Sequence, residues 1–144
     1  MKRIPAIKAV MTPFPYSVDI DAPLSEALRF LRDHNIHHLP VTENQVLVGV
    51  LSDRDIRVHL RPEPGDDAAV QMRVRDVYMD DPCIVDLNER LDRVLRLMQE
   101  RHAGAVLVTR NGRLAGVFTL TDVCRSYADL LQKEAGPPSG DDAA

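Results

Sequence analysis

The sequence predicts an α/β (α+β) domain made of two β-α-β-β-α repeats related by a pseudo-twofold axis. Three observations predict it. Gly49-Val50-Leu51-Ser52-Asp53-Arg54-Asp55 recurs as Gly116-Val117-Phe118-Thr119-Leu120-Thr121-Asp122, at an offset of 67 residues that also relates Leu24 to Leu91. At the same offset Val10, Pro15, Asp19, Arg29, Thr42 and Asn44 recur as Val77, Pro82, Asp86, Arg96, Thr109 and Asn111. Ordinary amino-acid usage would leave roughly three chance matches over the whole span, so the chain is an internal duplication. Within each copy, an apolar stripe of helical period precedes two apolar runs split by a short polar turn.

Each element follows from local chemistry. Ser17-Val18-Asp19-Ile20 is a brief extended piece. Asp21 then stands where a helix cap belongs, with Pro23 in the first turn. Leu24, Ala27, Leu28 and Leu31 fall at i, i+3, i+4 and i+7, which places them on one face of a helix ending near His34. The second copy repeats the device with Asn88 as cap and Leu91, Val94, Leu95 and Met98 as the face. Leu39 to Thr42 and Val46 to Leu51 form a hairpin around Glu43-Asn44-Gln45. Its counterpart turns at Arg110-Asn111-Gly112-Arg113, where Asn-Gly accepts the positive φ of a tight turn. A final helix begins at Ser52 and again at Thr119.

The two copies are expected at residues 8–60 and 75–131, with a linker over 61–74 and a disordered tail over 132–144. Pro62, Pro64 and Gly65 break the first copy's last helix, and the tail is rich in Gly, Pro, Ser and Asp. Neither copy closes a core alone, because a small sheet with helices on one side leaves an apolar face that needs a neighbour.

With 144 residues, 44% of them apolar and 28% charged, the chain can bury a substantial core. Its longest apolar runs fall far short of a membrane span, and no secretory segment follows Met1-Lys2-Arg3, so a cytoplasmic location is expected. A net charge of −4 and the lack of a basic recognition helix argue against nucleic acid as a partner. Cys83 and Cys124 occupy non-equivalent positions without metal-ligand spacing, as suits reduced structural thiols.

The residues also set limits on function. Ser52 to Asp55 has the form of a capping box, a device common to many helices. Asp53 with Asp55 could suggest a magnesium pair, but Leu120 replaces Asp53 in the second copy. No nucleophile, base and oxyanion-donor set can be assembled from what remains, so an enzyme is not expected. His34, His37 and His38 lack any Cys or carboxylate at finger spacing, so a metal site is not expected either.

Val10-Met11-Thr12-Pro13, His37-His38-Leu39-Pro40-Val41 and Gly49 to Asp55 together resemble the cystathionine-β-synthase (CBS) domain family, whose tandem pairs form a Bateman module. The likeness runs from about Lys8 to Leu130 in both copies and is similar to small stand-alone bacterial CBS-pair proteins. It implies a regulatory module that binds an adenosine nucleotide (AMP, ADP or ATP) or a related adenosyl ligand in clefts between the repeats. It also implies a homodimer formed through the helices, and an unidentified regulated protein as partner. By that resemblance Asp55 and Asp122 would accept ribose hydroxyls, assisted by Ser52, Thr119 and Thr121. His37 and His38 would meet phosphate, and Ser17, Val18, Ile84 and Val85 would line the adenine pocket; Arg54 either binds phosphate or lies solvated on its helix. Gly104-Ala105 stands where the first copy has His37-His38, so one site, or two unequal ones, is expected. The alternative from another class is a non-catalytic scaffold or dimerisation module with vestigial ligand sites.

Overall fold

The computed structural model describes residues 3–13, 16–59 and 72–136. Each copy has the expected order. The first contains β2 (Val18–Asp19), α1 (Leu24–Asp33), β3 (His38–Glu43), β4 (Val46–Ser52) and α2 (Asp53–His59). The second contains β5 (Ile84–Asp86), α3 (Leu91–Arg101), β6 (Ala105–Arg110), β7 (Arg113–Thr119) and α4 (Leu120–Ala135). A short strand, β1 (Thr12–Pro13), precedes them. In both copies the first strand pairs parallel with the second and the second pairs antiparallel with the third. Even the register shift recurs, at Val41/Thr42 and Val108/Thr109.

The hairpin turns are as tight as the sequence indicates. Asn44 and Gln45 have φ of 51° and 67°, and Asn111 and Gly112 have 51° and 79°.

The leading segments trade places between copies, which the sequence reading did not anticipate. β1 pairs with β7 of the second copy, giving a four-stranded sheet ordered β1-β7-β6-β5 beside the three-stranded β2-β3-β4. Reciprocally, Met79 bridges Val50 of the first copy. Ile7 is buried in the second core with Val94, Val108 and Phe118, while Val74 is buried in the first with Leu24, Leu39 and Ile56. Burying one such side chain completely contributes about 1.5–3 kcal/mol, so each copy depends on a residue supplied from outside it. Met72 to Val74, assigned above to the linker, therefore belongs to the first core's wall; the linker's 61–71 lies outside the described residues.

The same exchange corrects the helix caps. The capping residues of α1 and α3 are Pro23 and Arg90, and neither makes a side-chain capping bond. The orphan N–H of Leu24 donates instead to the Met72 carbonyl at 2.9 Å, and that of Leu91 to the Pro5 carbonyl at 2.9 Å. A crossing strand thus does the work of a cap. Asp21, freed from that role, binds Arg75 at 3.1 Å, and Asn88 accepts from Lys8 at 2.9 Å.

Three smaller expectations also change. Leu95 lies off the core face and is exposed. Cys83 is buried as expected, but Cys124 is exposed on α4. Residues 132–135, placed in the tail, continue α4 as helix, while 137–144 lie outside the described residues. No helix among the described residues is long and apolar enough to cross a membrane.

Candidate functional site

The ends of β4 and β7 deliver two hydroxyl residues to two helix starts, and the acids three places on have opposite fates. At the second, Thr119 and Asp122 form a reciprocal capping box. Asp122 Oδ2 accepts the Thr119 N–H at 2.9 Å and the Thr119 hydroxyl at 3.3 Å. Its Oδ1 accepts the Thr12 hydroxyl at 3.3 Å and a bond from the Arg125 guanidinium. Only 4% of Asp122 is exposed.

At the first, the Asp55 N–H donates to Ser52 Oγ at 3.0 Å, which is half of the same box. Asp55 is half-buried, and among the described residues nothing donates to its carboxylate. The reason lies in the duplication. Met79 and Val58 occupy the positions equivalent to Thr12 and Arg125, and neither side chain has a donor.

The histidine pair meets the start of α2, where the Asp53 N–H donates to the His37 carbonyl at 3.1 Å, and its two members differ. His37 is exposed, with Nδ1 2.8 Å from Asp53 Oδ2. The Arg57 guanidinium lies 3.8 Å from the same oxygen. Burial pushes the Asp53 carboxyl up, but the bond and charge of His37, the Arg54 N–H and Arg57 together hold it below the usual carboxylate range. With Nδ1 held by Asp53, the imidazole keeps Nε2 for another partner.

His38 opens β3 opposite Ser52. Its Nε2 lies 3.9 Å from where a Cβ on Gly104 would stand, so the two copies approach each other here. Burial pushes the His38 imidazole below its ordinary value, opposed by Asp53, reinforced by His37 and opposed again by Asp55. Burial thus disfavours the charged form of His38, which can still offer a partner a hydrogen bond.

The remaining expected residues divide. Arg54 and Thr121 are exposed, at the first turns of α2 and α4. Ser17 is exposed, and Val18 pairs with Val41, three residues along β3 from His38. Val85 packs mainly into the second core. Ile84 is 45% exposed and, with Val85, Asp86 and Leu97, borders a groove of about 530 Å³ between β5 and α3. That groove is lined by neither Asp55 nor Asp122. A second groove of about 460 Å³ runs between Met11, Leu91, Arg125 and Leu130. Among the described residues no group of three or more metal-ligating side chains comes together.

Thr12 and Arg125 were missed as site residues. Thr12 lies in a stretch already noticed, but its contact depends on the crossing of β1. Arg125 could have been found by comparing it with Val58 at the repeat offset.

The CBS-domain family model matches this chain twice, over residues 7–61 and 74–129. The chain belongs to the CBS-domain family. Its CBS pair is 28% identical over 140 residues to a CBS domain-containing protein of Dictyostelium discoideum, covering 91% of this chain and 94% of that protein. It is 32% identical over 127 residues to a zinc metalloprotease of Methanocaldococcus jannaschii, covering 88% of this chain but 33% of the protease. Among solved structures, an acetoin utilization protein (AcuB) from Vibrio cholerae superposes with a TM-score of 0.79 at 22% identity, covering 94% of this chain and all of that one. The CBS domain pair of protein MJ0100, in complex with 5′-methylthioadenosine and S-adenosyl-L-methionine, superposes with a TM-score of 0.78 at 23% identity over 89% of this chain and 99% of that one. CBSX2 in complex with AMP gives 0.74 at 24% identity over the same shares. These likenesses establish the CBS-pair fold.

Proposed function

We propose that this CBS pair is a non-catalytic regulatory module that binds an adenosine nucleotide of the AMP, ADP or ATP type beside Asp55. The observation that carries the reading is the half-buried Asp55 carboxylate, to which no described group donates, next to the His37–Asp53 pair. A carboxylate in that state can accept two ribose hydroxyls in charge-assisted bonds. His37, oriented by Asp53, then presents Nε2 to phosphate. Two structural neighbours hold adenosine-type ligands, which supports the ligand class.

The module acts as a cytoplasmic homodimer in this reading. Val58 on α2 and Leu120, Tyr127, Leu130 and Leu131 on α4 are all large, apolar and exposed, and a second copy would cover them. The ligand favours one arrangement of the repeats, and a partner protein responds to that population.

Thermal unfolding with and without millimolar AMP, ADP and ATP tests the proposal. The melting temperature of the wild-type chain rises with at least one nucleotide, and the rise is lost in Asp55→Ala. Equal melting temperatures in all conditions would leave the exposed helical face, and a purely scaffolding role, as the better account.

A further inference from the structure

We infer that each chain takes a single nucleotide, at Asp55, because Thr12 and Arg125 already occupy the carboxylate that a second ribose would need. The inference rests on the adenosine-nucleotide reading above and adds the number of sites and the residues that set it.

Asp55 and Asp122 are the same position in two copies, so differences around them are informative. A carboxylate offers about four acceptor sites. At Asp122 all four are used: two by the N–H and hydroxyl of Thr119, one by the Thr12 hydroxyl and one by Arg125. A ribose diol needs two of them. The Thr119 bonds belong to the helix start and would persist in any member with this capping box. The other two are particular to this chain, since the equivalent positions around Asp55 are Met79 and Val58.

The occupying groups are held in place. Thr12 lies on β1, paired to Val117 of β7, and β1 cannot move off without opening the sheet edge. Arg125 is one turn along α4 from Asp122, so its half-exposed side chain reaches the carboxylate from the same helix. With Asp122 4% exposed, a ligand would have to displace both donors before reaching Oδ1, while Oδ2 stays with Thr119. Gly104 and Ala105 add nothing to compensate, because neither can contact phosphate through its side chain.

Isothermal titration of the full chain with AMP counts the sites. The expected result is one AMP per wild-type chain and none for Asp55→Ala with its circular dichroism unchanged. Arg125→Val combined with Thr12→Met, which gives Asp122 the surroundings of Asp55, is expected to raise the count to two. Two sites in the wild type, binding retained by Asp55→Ala, or a count of one in the folded double variant would each overturn the inference while leaving nucleotide binding intact. If the double variant does not fold, the wild-type count and Asp55→Ala decide. A wild type that binds no AMP overturns this inference together with the functional reading it rests on.

Discussion

Gly49 lies directly against the main-chain carbonyl of Met79, with no room for a side chain between them. The ring of Tyr78 closes the same space, 2.6 Å from where a Cβ would stand. Gly116 is its equivalent, covered by Met11 and by the Thr12 carbonyl at 2.8 Å. The glycines that opened the repeated motif are thus required by the crossing segments. Gly49→Ala is expected to lose about 3 kcal/mol of stability, since a backbone carbonyl yields less than a side chain. Gly116→Ala should lose less, because the Thr12 carbonyl stands farther off than that of Met79 and the Met11 thioether can shift. Urea denaturation of the two variants checks the order.

Gln45 holds a φ of 67° where the second hairpin has Gly112 at 79°. Left-handed backbone costs a non-glycine residue about 1–2 kcal/mol, partly offset by the lower unfolded-state entropy of a side-chain-bearing residue. Gln45→Gly should therefore raise stability by about 0.5 kcal/mol. A melting temperature equal to or below that of the wild type would show that the side chain has packing worth more than the strain.

The sequence made the duplication, the element order and both hairpins readable, because all three are local or rest on the offset. The exchange of Ile7 and Val74 between cores was not readable, since both segments look alike and nothing local says which core each joins. Asp21 shows the consequence: it looked like the cap, but the cap is Pro23, and Met72 arriving from far along the chain took the Leu24 N–H. At the site, Asp55 and His37 could be named from the motif. The closure of Asp122 could not, because it depends on Thr12 reaching it across 110 residues of chain.

Acid should weaken the fold in a window set by His38. Its folded-state value lies below the ordinary 6.5, chiefly through burial. The unfolded chain therefore binds this proton more readily, and stability falls as pH drops below about 6.5. Asp53 and Asp21 are held below 3.8, so their contributions persist until the pH falls further. Melting temperatures at pH 7.5 and 5.5 should differ more in the wild type than in His38→Gln. An unchanged difference would place the acid sensitivity elsewhere.

Asp53 is expected to matter for phosphate and not for the nucleoside. Asp53→Asn removes the charge that orients His37 at 2.8 Å, which should weaken AMP binding about tenfold, or 1.4 kcal/mol. Adenosine binding should change little. Equal losses for AMP and adenosine would mean that His37 does not contact the phosphate.

The exposed stripe on α4 should hold two copies together. Tyr127 and Leu131 are 60% and 48% exposed. Tyr127→Glu with Leu131→Arg should turn a dimer into a monomer in light scattering, with the circular dichroism spectrum kept. A mass unaffected by the double change would place the contact elsewhere.

The most direct test is a crystal structure of the chain grown with AMP. The ribose hydroxyls should lie within hydrogen-bond distance of the Asp55 carboxylate, with the phosphate at His37 Nε2 and Asp122 still bound to Thr12 and Arg125. An ordered AMP whose ribose sits away from Asp55, or crystals without AMP at millimolar ligand, would contradict the account.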